Sequence, residues 1–144
     1  MTLYTSLSRP RRAFRFVILV TAVTVGALSV QVFDASETAA ATSTVTVTMT
    51  DAPPKYVPES LRIAVGTTVE WKNTAQSLHD VSTVVGDAQN KKDVHLPSGA
   101  KPFDSGFLTP GQSWKHRFTV PGHYTYFCVP HEKDGMVGHI DVAG

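Results

Sequence analysis

From residue 44 onward, apolar and polar positions alternate with period two, and no segment shows the 3.6-residue period of an amphipathic helix. Thr44-Val-Thr-Val-Thr-Met-Thr50 alternates strictly and is β-branched, which predicts a half-buried strand. Asp51-Ala-Pro-Pro54 breaks it. Tyr56–Val65 reads as a second strand that Pro58 confines to an edge or bulge. Thr67–Lys72 puts Val69 and Trp71 on one face, and Leu78–Val85 and Phe103–Leu108 read as further strands. Gln112–Val120 follows the Pro110-Gly111 turn, and Trp114, His116 and Phe118 share one of its faces. His123–Cys128 aligns Tyr124, Tyr126 and Cys128, and Val137–Val142 closes the chain. Seven to eight short strands at this spacing predict an all-β fold, a two-sheet antiparallel Greek-key sandwich. Its expected core is Val47, Val69, Trp71, Val81, Trp114, Phe118, Tyr124 and Tyr126, with Met49 continuing the first strand's face. Gly86–Pro102 is long and polar and shows no regular pattern.

Residues 1–41 have a different character. Arg9, Arg11, Arg12 and Arg15 precede the apolar run Phe16–Phe33, and Ala39-Ala40-Ala41 offers a small-residue cleavage site. The run is 18 residues, about 27 Å as a helix, which is borderline for a bilayer. A cleaved export signal is favoured over an uncleaved membrane anchor, and Arg11-Arg12 also fits part of a twin-arginine signal. The expected division is therefore residues 1–41 as leader and spacer and 42–144 as one domain, placed in the periplasm or otherwise outside the cytoplasmic membrane. Four of the 13 basic and two of the 12 acidic residues fall in the leader, so nine and ten remain and the net charge is near −1. Such a balance excludes ordinary nucleic-acid binding, which needs clustered cations.

The chemistry concentrates in one loop. Cys128, the only cysteine, is followed by His131 at i+3 and Met136 five residues later. An odd thiol behind an export signal has no disulfide partner. A lone cysteine in a small β domain is usually a buried hydrophobe. Here thiolate, imidazole and thioether fall within nine residues, and that set suits copper. A trigonal site needs a second histidine; His79 is the foremost candidate and His95 its nearest rival. Pro130 stiffens the loop, and Gly135 permits a backbone conformation that a Cβ would hinder. His116, His123 and His139 read as non-ligands, the last two at the surface.

Tyr126-Phe-Cys-Val-Pro-His131 followed by Gly135-Met-Val-Gly138 resembles the ligand loop of the plastocyanin-like branch of the cupredoxins. Trp71-Lys-Asn73 leading to Leu78-His-Asp-Val81 resembles the segment carrying that family's first histidine. The resemblance extends over most of residues 44–144. It implies one type 1 (blue) copper ion held by His79, Cys128, His131 and Met136. It also implies one-electron transfer to redox partners such as a cytochrome or a membrane complex, by a monomer that is not an enzyme. The sequence departs from the family at Asp80, where Asn is usual, and has Phe127 before the cysteine.

Other classes are weaker. A copper-delivery protein would use the same ligands in exposed, labile form. A Cys128–His131 hydrolase lacks an orienting third group and leaves Met136 unexplained. A multicopper oxidase needs more histidines, and a two-cysteine binuclear centre is excluded. A carrier would expose His131 within an apolar collar of Val129, Pro130, Gly135, Val137 and Leu78.

Overall fold

The computed structural model describes residues 43–144. The leader expectations, residues 1–41, lie outside the described residues. Among the described residues seven strands form in order: β1 (Thr44–Asp51), β2 (Pro54–Val57), β3 (Ser60–Ala64), β4 (Thr68–Asn73), β5 (Ser113–Arg117), β6 (Gly122–Phe127) and β7 (Val137–Ala143). They make two sheets, β2-β1-β4-β5 and β3-β7-β6. The break at Pro58 is where the chain leaves one sheet for the other, and both β2 and β3 are edge strands, as the proline requires.

The two-sheet all-β architecture is the one the sequence predicts, but the sheets are mixed. β1 pairs β4 in parallel and β3 pairs β7 in parallel, while the other three pairings are antiparallel. The alternation of a half-buried strand is the same whichever way its neighbour runs, so the pattern alone does not give direction.

Inward-facing residues of both sheets join in one core. Val47, Met49, Val69, Trp71, Val81, Phe118, Tyr124 and Tyr126 are all buried there. Trp114, expected in the core, is only partly buried and packs against Trp71 from the edge strand β5. Gly138 lies against the Tyr126 ring, and any side chain at 138 would strike it.

Two expected strands do not form. Leu78–Val85 and Phe103–Leu108 meet only at isolated bridges, His79 with Leu108 and Ser82 with Asp104, and Ser82 also touches the edge of β6 at Phe127. Backbone carbonyls take some of their amides, and side chains take others. Val81 N–H donates to Ser105 Oγ, Phe103 N–H to Thr83 Oγ1, and Gly106 N–H to Asp104 Oδ1. Side-chain acceptors compete with ladder bonds in this way when Ser, Thr and Asp are frequent. The Gly86–Pro102 segment is more ordered than its composition suggests. It holds a 3₁₀ turn at Lys91–Asp93 and a reciprocal backbone pair between His95 and Thr125.

Candidate metal centre

Cys128 follows β6 with the inward parity of Tyr124 and Tyr126, and it is fully buried. The chain then folds into a 3₁₀ segment, Val129–Asp134, with Pro130 in its first turn. Gly135 ends that segment in the left-handed region at φ +80°, as a helix-terminating glycine does. Met136 N–H donates to His131 O at 3.1 Å, and Cys128 N–H donates to Met136 O at 3.0 Å. The three predicted loop residues are thus tied to one another through their own backbone.

His79 arrives from the irregular 78–85 segment, clamped to Leu108 by a reciprocal backbone pair. Its Nδ1 lies 3.6 Å from Cys128 Sγ, and His131 Nδ1 lies 3.5 Å from the same sulfur. The imidazole centroids are 4.7 Å apart. Donor atoms of His79, Cys128 and His131 all fall within 4.8 Å of one another. Nitrogen and sulfur held about 2.0 and 2.3 Å from a single ion stand about 3.5–3.7 Å apart. The donor set therefore fits one soft-tolerant ion without rearrangement. Met136 is fully buried and belongs to the same core cluster as Cys128. His95, the rival, pairs with Thr125 on the far edge of β6 and is not in this group.

Asp51, Tyr56 and Glu132 escape the sequence reading as supports of the site, while Asp80 is noted there only as a departure. Asp51, at the end of β1, puts Oδ1 3.0 Å from His79 Nε2, and its Oδ2 accepts the Gln76 and Ser77 amides. Those amides and His79 hold the Asp51 carboxyl below its ordinary value. A carboxylate on the outer nitrogen fixes the ring so that the other nitrogen faces a metal. Asp80 acts twice: its N–H points to Cys128 Sγ at 3.5 Å, and its Oδ1 accepts Val129 N–H at 2.7 Å. Burial raises its pKa. Tyr56 hydroxyl caps the arrangement by donating to Asp80 O. Glu132, buried within the ligand loop, accepts the Gln89 and Asn90 amides at 2.8 Å each. The 86–102 segment is thereby fastened to the ligand loop.

Electrostatically the pocket disfavours charge on the protein's own groups. Burial pushes the Cys128 thiol up to about 12 and lowers the His79 pKa. A bound cation reverses this, since its charge displaces the thiol proton and suits a neutral imidazole.

Known copper proteins share this fold and sequence pattern. Residues 41–143 match the family of copper binding proteins, plastocyanin/azurin family. The chain is 37% identical over 133 residues to a plastocyanin of Synechococcus sp. (strain JA-2-3B'a(2-13)), covering 90% of this chain and 93% of that one. Against the chloroplastic plastocyanin of Pisum sativum, 30% identical over 60% of this chain, it spans only about half the relative's length, 51%. The fold matches an oxidized mutant of amicyanin with a TM-score of 0.54 and 27% identity, over 69% of this chain and 81% of that one. It also matches a Cu-containing nitrite reductase from Thermus scotoductus, with a TM-score of 0.53 and 31% identity, over 69% of this chain but 22% of that one. With a His-Cys-His group assembled as a type 1 copper ion requires, this chain belongs to the plastocyanin/azurin family of copper-binding proteins.

Proposed function

We propose that the protein is a one-electron carrier, with His79, Cys128 and His131 as equatorial ligands and Met136 as the weak axial ligand of its copper. The observation that carries this reading is the pair of His Nδ1 atoms at 3.5 and 3.6 Å from one buried sulfur. Copper bound there supplies the Cu(II)/Cu(I) couple. The chain's own residues supply rigidity. Asp51 and the Leu108 backbone pair hold His79, Asp80 holds Val129, and Glu132 ties the loop to 89–90. Ligands that barely move keep reorganisation small, which is what fast transfer needs.

His79 and Cys128 are fully buried, which counts against a delivery protein that must exchange its ligands with a partner. The fold alone does not separate carrier from enzyme, because a nitrite reductase shares it over part of its length. Among the described residues, His79–Cys128–His131 is the only group of three or more His, Cys, Asp or Glu whose donor atoms already lie within reach of one ion.

His131 is half-buried, Pro130 and Gly135 are exposed, and Leu78 is 47% exposed. This apolar rim is the proposed contact for a cytochrome or membrane electron-transfer complex, with His131 as the exit. Weak redox contacts are small, and a mostly apolar rim releases quickly. The carrier works outside the cytoplasmic membrane, exported by residues 1–41, with residues 42–144 as the working domain. The test is electron-transfer kinetics between the copper-loaded protein and a surrogate cytochrome. Pro130→Glu slows transfer strongly with the visible spectrum intact, and Lys91→Glu with Lys92→Glu has a smaller effect. Dominance of the loop charges with a silent Pro130 change places docking elsewhere.

A further inference from the structure

Away from the copper centre, the outer face of the second sheet gathers His95, His123 and His139 with Asp141 and Thr125. The residues come from three segments. Register pairs His123 with Asp141 and Thr125 with His139 across β6 and β7. His95 is delivered by the 86–102 segment through its reciprocal backbone bonds to Thr125, at 3.1 and 2.9 Å. On β6 and β7 these positions have the opposite parity to Tyr124, Tyr126, Ile140 and Val142, which enter the core. The cluster therefore lies on the side of the sheet opposite to that of Cys128, where His95 and His123 are exposed, His139 is half-buried and Thr125 is buried beneath them.

We propose that this cluster is a second, labile site for a divalent transition-metal ion, with His123 and His139 as its principal ligands and His95 as a third. Three observations carry it. First, the ring centroids of His95 and His123 are 5.7 Å apart, as are those of His123 and His139. Two imidazoles held about 2.0–2.1 Å from one ion have centroids about 4.5–5.5 Å apart, so small side-chain rotations would bring either pair onto one ion. Second, His123 Nε2 and His139 Nδ1 both lie 3.2 Å from one atom, Thr125 Oγ1. Two ring nitrogens thus converge on a single point of the outer face. Third, Asp141 Oδ1 takes the other nitrogen of His123 at 2.7 Å. That repeats the carboxylate–imidazole arrangement of Asp51 and His79, which orients a ring for a metal.

The ligand class is a borderline ion that accepts imidazole: Cu(II), Ni(II) or Zn(II). Arg62 stands opposite Asp141 on β3, and its charge works against a tight site. Side-chain exposure of 48% at His123 and 67% at Asp141 makes the bound ion exchangeable. Binding there would pin the 86–102 segment to β6, giving that segment a role beyond support of the ligand loop.

Zn(II) is the probe, because it is colourless. Copper-loaded protein without a polyhistidine tag is titrated with Zn(II) by calorimetry while the copper absorption is followed. The expected result is one zinc ion bound per chain in addition to copper, with the copper spectrum unchanged. His123→Ala and His139→Ala should each weaken zinc at least about tenfold, and Asp141→Asn about tenfold, by loss of the orienting carboxylate. An unchanged copper spectrum in each variant shows that it folds. Absence of stoichiometric zinc uptake, or uptake that none of these changes weakens, overturns the proposal.

Discussion

Asp51 Oδ1 sits 3.0 Å from Nε2 of His79, and the two residues are brought together from the end of β1 and the segment that follows β4. The bond leaves Nδ1 as the ring nitrogen that faces Cys128. Asp51→Ala removes this restraint without touching a ligand. Copper affinity, measured by competition with a chelator of known strength, should fall about 10- to 100-fold, with the visible band retained at saturation.

The choice of histidine is tested by making a hole. His79→Gly should abolish the native spectrum and allow added imidazole to restore it. His95→Ala should leave the spectrum unchanged, since His95 pairs with Thr125 at the edge of β6, away from the sulfur. Loss of colour with His95→Ala, and not with His79→Gly, would reverse the assignment.

Glu132 links two segments that composition treats as separate loops. Glu132→Ala removes two hydrogen bonds to the amides of the exposed residues Gln89 and Asn90, at a cost of about 0.5–1.5 kcal/mol each, since water can replace the acceptor. Chemical denaturation should show that loss, and hydrogen exchange at those two amides should accelerate more than exchange in β6.

His116 packs against Phe103, with centroids 4.3 Å apart, and burial lowers its pKa. The unfolded chain therefore takes up a proton first as pH falls. The stabilising effect of a neutral ring is full above the unfolded value of about 6.5 and is lost as pH drops through it toward the lowered folded value. The melting temperature of the copper-loaded protein should fall over that range, and His116→Phe should flatten the slope.

The ligand loop is legible in the sequence because it is local. Cys128, His131 and Met136 fall within nine residues, so spacing alone suggests the copper chemistry proposed for them. His79 stands out in the sequence as the foremost second histidine, with His95 its rival, and the family resemblance favours it further. Asp51 and Glu132 are not legible. Each looks like an ordinary surface acid, and its role arises from contacts 28 and 43 residues away. The false strands at 78–85 and 103–108 have a related cause. Their β-like pattern is real, but Ser105, Thr83 and Asp104 take the amides a ladder would need. On the outer face, His123 is exposed as the pattern predicts and His139 is half-buried, and their convergence depends on the register of β6 with β7.

Cys128, as a thiolate between His79 and His131, is proposed to bind copper in a type 1 site. The most direct measurement is the visible absorption and electron paramagnetic resonance spectrum of the oxidised, copper-loaded protein beside its Cys128→Ser variant. The expected result is one copper per chain and an intense thiolate-to-copper charge-transfer band that vanishes in the variant. A stoichiometric but colourless Cu(II) complex, or a band that survives Cys128→Ser, would contradict it.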